Sequence, residues 1–194
     1  MKFPNLLRLP LLFSTVCCLT GCFAKPPPAA PPEGISHNGG LIHERNEGYS
    51  LLHNLLGDEA DVSKLLIIKH VDDPLAGLLK QISAAAGDGK KQLETFATPQ
   101  SRIEFDVDDL PKLEAASRDL ERKHQTKLLL TSSGPALALN LLFTQAEATA
   151  YAANLCTATA SLEDDPARRD FLQQLGARFA AFHDQLLSMM QAKS

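Results

Sequence analysis

From Asn46 to the end of the chain, apolar residues recur at steps of three and four, the spacing that puts side chains on one face of a helix. Only one stretch alternates instead: Ile103, Phe105 and Val107 are interleaved with Glu104 and Asp106. A single strand has nothing to pair with, so a loop packed by its own apolar side chains is expected over residues 99–107. The composition agrees: the chain has no Trp and only two Tyr, and it is rich in Leu and Ala, which favour helices over strands.

Five helical segments are predicted. The first runs from Asn46 to Lys69, with Tyr49, Leu52, Leu56, Val62 and Leu66 in line and Gly57 as a place to kink or split. The second opens at Asp72-Asp73-Pro74, a carboxylate cap followed by a first-turn proline. It carries Leu75, Leu78, Leu79, Ile82, Ala86, Leu93 and Phe96 on one stripe, is weakened at Gly87 and Gly89, and ends at Thr98-Pro99. The third starts at Asp108 or Asp109 with Pro111 in its first turn, and its buried face is expected to be Leu113, Ala116, Leu120, His124 and Leu128. Ser132-Ser133-Gly134-Pro135 separates it from the fourth, which runs to about Leu162. The fifth opens at Asp164-Asp165-Pro166 and carries Leu172, Leu175, Phe179, Phe182, Leu186 and Met189. Short connections and helical periods imply an all-α fold, an antiparallel helical bundle of four to five helices over residues 41–194. That length is enough for one real core.

The N-terminus follows different rules. Lys2 and Arg8 give a basic start, and Leu9 to Leu19 is an apolar run of signal-peptide length, too short to span a bilayer. It closes on Leu19-Thr20-Gly21-Cys22, which resembles the lipobox of bacterial lipoproteins. The resemblance implies that residues 1–21 are a cleaved signal peptide and that Cys22 receives a diacylglycerol on sulfur and an acyl group on its new amino terminus. The lipid bilayer is then a partner through the acyl anchor. Phe23, in place of the Asp that retains enterobacterial lipoproteins in the inner membrane, favours the outer membrane, facing the periplasm. Residues 22–40 would form the tether. Five prolines between Lys25 and Glu33 make a stiff spacer of roughly 3.1 Å per residue, and Gly39-Gly40 is expected to end it.

Removing residues 1–21 takes away Lys2 and Arg8, so 19 basic and 23 acidic residues become 17 and 23, a net charge of −6. That balance argues against a nucleic-acid partner. With Cys22 lipidated, Cys156 has no disulfide partner, and its place in the most apolar segment reads as a small buried hydrophobe.

Candidates for chemistry are few. Glu121 and His124 stand three apart on one helix, the spacing that supplies half of a ferritin-like di-iron centre. A second such pair is missing. A mixed metal site would need Glu121, His124, Glu147 and His183 to converge, so the cofactor expected is none beyond the lipid. His53 and His183 read as boundary residues. The fourth segment carries a polar stripe of Asn140, Thr144, Glu147, Tyr151 and Asn154, which either faces solvent or lines a cavity or partner. No nucleophile motif or phosphate-binding loop is present. The function expected is a lipid-anchored envelope module that binds or supports without catalysis, possible partners being envelope proteins; the alternative is a metal-binding bundle.

Overall fold

The computed structural model describes residues 37–105 and 112–192. Leu19, Thr20, Gly21, Cys22 and the proline tether lie outside the described residues, as do Val107, Asp108, Asp109 and Pro111. Among the described residues there are five α-helices: α1 (His37–Asp61), α2 (Asp73–Phe96), α3 (Lys112–Thr131), α4 (Gly134–Ser161) and α5 (Pro166–Gln191).

Named contacts give the direction of each helix. His53 of α1 meets Glu94 of α2, while further along α1 the Glu59 carbonyl meets Ser83, earlier on α2. Tyr49 reaches Glu163 just beyond α4. Gly176 of α5 lies against Cys156 of α4, and His183 lies against the Ala146 carbonyl. Gly89 of α2 packs on Leu175 of α5, and Phe96 stands edge-on to Phe171. In each pair one residue number rises as the other falls, so the neighbours run antiparallel. The result is a four-helix square in the order α1, α2, α5, α4, with α2 and α4 pointing the same way.

That parallel diagonal accounts for α3. The chain leaves α2 at one end of the bundle and must enter α4 at the other. A helix of 20 residues is about 30 Å long and carries it back. As a crossover, α3 lies outside the square. None of its residues is buried: Leu113 is 85% exposed, Leu120 67%, and Ala116 and His124 also face solvent, with Leu128 half-buried. The expected buried face of the third segment is therefore corrected. Its stripe has the right period, but the topology leaves no core for it to meet.

The core belongs to the other four helices. Tyr49, Leu52 and Leu56 of α1 are fully buried with Leu75, Leu79, Ile82 and Leu93 of α2, Leu141, Leu142 and Cys156 of α4, and Leu172, Phe179 and Leu186 of α5. α4 and α5 approach closely at Gly176, where an added Cβ would sit 3.0 Å from the Cβ of Cys156.

Two local expectations are also revised. α1 begins at His37 and runs through Gly39-Gly40, and it ends at Asp61 rather than at Lys69. Val62–Ile67 tightens into a 3₁₀ segment that leaves Ile67 and Ile68 exposed. Gly57 does not interrupt α1, nor do Gly87 and Gly89 interrupt α2. At the start of α5 the Asp165 carboxylate accepts the Arg168 amide at 2.9 Å, the cap expected there. The carboxylate cap expected at α2 is corrected: Asp72 holds the N-cap position without a side-chain cap hydrogen bond, and the first-turn Pro74 marks the start. At the first residue of α4, Gly134 has a φ of +57°, a left-handed conformation that glycine adopts without a Cβ clash.

The residue 97–105 connection is a strap tied to α1. Arg45 donates to the Ser101 carbonyl at 2.8 Å, Asn46 to Arg102 at 2.8 Å and Ser50 to Glu104 at 3.1 Å. Three α1 side chains thus satisfy carbonyls that a strand partner would otherwise take. They hold Arg102 at a φ of +54°. Ile103 is buried, and Phe105 stacks on His53 with ring centroids 4.2 Å apart.

Candidate functional site

Beneath α3 runs a cleft of about 470 Å³, bounded by α1, α3 and α4. Three buried polar side chains are in its lining: Thr144, which donates to the Asn140 carbonyl, and Glu59 and Gln145, at 6% and 4% exposure, which form its floor. Burial pushes the Glu59 carboxyl up to about 7; the Gln145 amide hydrogen-bonds it and works the other way, and the neighbouring charge of Asp58 adds to the rise. One oxygen of each, Glu59 Oε2 and Gln145 Oε1, has no hydrogen-bond partner. A buried polar atom left unpaired costs about 1–3 kcal/mol, so such pairs are uncommon without a reason. Leu55, Val62, Leu129 and Ala148 supply apolar wall.

The roof is held by few contacts. Arg118 of α3 donates to Tyr151 Oη at 2.6 Å and to Glu114 at 2.7 Å. Arg122 pairs with Asp119 at 2.9 Å and stands 3.8 Å from Asp58 across the cleft. At the far end, Lys69 Nζ donates to the carbonyls of Leu130 and Ser132, placing a cation on the C-terminal carbonyls of α3. Asn140 donates to Ser132 Oγ at 2.9 Å.

The polar stripe of α4 belongs to this site. Thr144, Glu147 and Tyr151 line the cleft, Asn140 ties the α3–α4 turn, and Asn154 is exposed. Of the four metal candidates, Glu121 and Glu147 both line the cleft, with Glu121 accepting from Gln125. His124 is exposed on the crossover helix, and His183 Nδ1 donates to the Ala146 carbonyl at 2.8 Å on the α4–α5 side. A ferritin-like centre takes ligands projecting inward from four core helices, whereas Glu121 and His124 sit on the one helix outside the core. Among the described residues, no group of three or more His, Cys, Asp or Glu side chains is placed to hold a metal.

A second polar cluster gathers around Glu163, against Arg45 and Tyr49 of α1. Glu163, 2% exposed, accepts Tyr49 Oη at 2.7 Å, an Arg168 nitrogen at 2.8 Å and the Asp165 amide at 3.0 Å, with Arg45 at 3.8 Å. Burial by itself would raise this carboxyl, but the hydrogen bonds from Arg168, Tyr49 and the Asp165 amide outweigh it and hold it down at about 2. Arg169 closes the backbone side by donating to the Glu163 carbonyl at 2.7 Å.

Neither Glu59 nor Glu163 stands out in the sequence. Glu59 is near the apolar stripe of α1, beside Leu55, Leu56 and Val62, a weak sign of burial; Gln145 lies between the stripes of α4. Comparison with known proteins returns no family model, no curated relative and no solved structure that matches this chain.

Proposed function

We propose that this protein is an envelope lipoprotein whose helical module docks another envelope protein through the exposed face of α3. The observation that carries the docking is that α3 buries none of its residues yet presents Leu113 and Leu120, seven apart and therefore on one face, to solvent. Leu139 and Phe143 of α4, one turn apart, are each more than half exposed as well. Leucines on a crossover helix contribute nothing to a core they do not touch, and apolar surface of this kind favours a protein partner. The lipobox-like Leu19–Cys22 supports the anchor, and the proline spacer supports the reach. No described helix is long and apolar enough to cross a membrane.

Two measurements in cells of the source organism test this. Palmitate labelling should mark the wild type and fail in Cys22→Ser, which should also leave the membrane fraction. A photo-crosslinking residue at Leu120 should trap one discrete envelope protein, while the same residue at Lys80, exposed on α2, should not. Retained label in Cys22→Ser overturns the anchor; equal trapping at both positions overturns the docking face.

A further inference from the structure

We propose that the cleft between α1, α3 and α4 binds a small organic ammonium ion, its charged head bridging Glu59 Oε2 and Gln145 Oε1 and its apolar stem lying along Leu55, Val62 and Leu129. The two oxygens are acceptors without donors, each on a side chain more than nine-tenths buried, and both residues line the same cavity. An alkylammonium carries three N–H donors and no acceptor. It satisfies both oxygens at once and pairs its charge with the Glu59 carboxylate.

The surroundings select this chemistry over the alternatives. An anion would meet two oxygens on the floor and more carboxylates at the rim, where Asp58, Glu121 and Glu147 stand. The rim cations are engaged elsewhere, Arg118 with Glu114 and Tyr151 and Arg122 with Asp119. A divalent metal would need further ligands, and one carboxylate with one amide oxygen makes a poor set for it. A purely apolar guest would leave both floor oxygens unpaired. The cavity of about 470 Å³ suits a molecule with a short stem. This inference is independent of the α3 docking face, which looks outward from the same helix.

The test is an NMR titration of the full-length chain in non-ionic detergent with n-butylammonium, against n-butanol, butyrate and Zn²⁺ as separate arms. n-Butylammonium should bind saturably, with a Kd of roughly 1 mM for so small a ligand, and should move the Gln145 side-chain amide signals. Glu59→Gln should weaken binding at least tenfold. Ala148→Phe, which fills the wall of the cleft, should block it while circular dichroism stays helical, so a folding defect in one variant leaves the other decisive. Butanol should bind at least tenfold more weakly than the ammonium. The proposal is overturned if wild type and both folded variants bind n-butylammonium alike, if none binds, or if butyrate or Zn²⁺ binds the cleft more tightly than the ammonium.

Discussion

Tyr49 donates its hydroxyl to Glu163 Oε2 at 2.7 Å across 114 positions of sequence, inside the core. This bond joins the middle of α1 to the short α4–α5 connection, and Arg45 extends the tie to the residue 97–105 strap. Three separate parts of the chain therefore meet at one carboxylate. Tyr49→Phe keeps the ring and removes the donor. It should cost about 2 kcal/mol, a loss of roughly 4–8 °C in Tm. Thermal denaturation of the variant checks this, and an unchanged Tm would show that Arg168 alone satisfies the carboxylate.

Glu163 also sets an acid limit. Its folded carboxyl lies at about 2, below its ordinary 4.5, so the stabilisation is fully present above pH 4.5 and is lost as pH falls toward 2. Glu163→Gln should lower the neutral-pH Tm by roughly 6–12 °C, because it leaves the buried Arg45 and the half-buried Arg168 without their anion. The variant should also lose less Tm than the wild type between pH 5 and pH 2.5. Parallel acid slopes would place the acid limit elsewhere.

Glu59 works in the opposite direction. Burial holds its folded carboxyl near 7, above its ordinary 4.5, so ionisation opposes folding increasingly as pH rises from 4.5 and fully above 7. Glu59→Gln, measured without ligand, should be more stable than the wild type by several degrees at pH 8 and by little at pH 4.5. A difference in Tm that does not change with pH would mean that the carboxyl ionises without penalty.

Lys69 caps α3 from outside. Lys69→Met keeps the stem and removes the charge from the Leu130 and Ser132 carbonyls. It should cost about 0.5–1 kcal/mol, concentrated in α3. Hydrogen exchange over residues 126–131 should quicken by roughly threefold, with α2 and α5 unchanged. A uniform change across all helices would contradict a local role.

Cys156 is sealed between α4 and α5, and burial pushes its thiol up to about 12. A thiol reagent at pH 8 should leave it unmodified in the folded protein and react fully in guanidinium. Gly176→Val places side chain against Cys156 and the Ala153 carbonyl, where an added Cβ would lie only 3.0 and 3.4 Å away. It should cost about 1–3 kcal/mol and make the thiol reactive in the native state. An unreactive thiol with unchanged Tm would show that the pair separates freely.

The helices were legible because each is written locally. Leu75, Leu79 and Ile82, or Leu172, Phe179 and Leu186, repeat at helical spacing and are buried as that spacing implies. The Asp165-Pro166 start could be read for the same reason, since a cap bonds only a few residues ahead. The packed loop at Ile103 and Phe105 was also visible, though not the Arg45, Asn46 and Ser50 side chains that bind it. What failed was α3, where Leu113 and Leu120 have the period of a core helix and none of its burial. The candidate site was harder still. Glu121, Glu147 and Tyr151 belong to patterns of helical spacing and line the cleft, whereas Glu59 and Gln145 come together from α1 and α4 with no common motif.

The sequence by itself determined the helical class, most helix stripes and the α5 cap, because hydrophobic period and capping act within a few residues. Only the tertiary structure decided that α2 and α4 run parallel. That choice sends α3 outside the core, opens the cleft above Glu59 and Gln145, and seats Glu163 beneath Tyr49. The physical reason is that burial is a property of packed neighbours: a leucine, a glutamate or a glutamine takes its energy, and its chemistry, from helices that approach it across a hundred residues of chain.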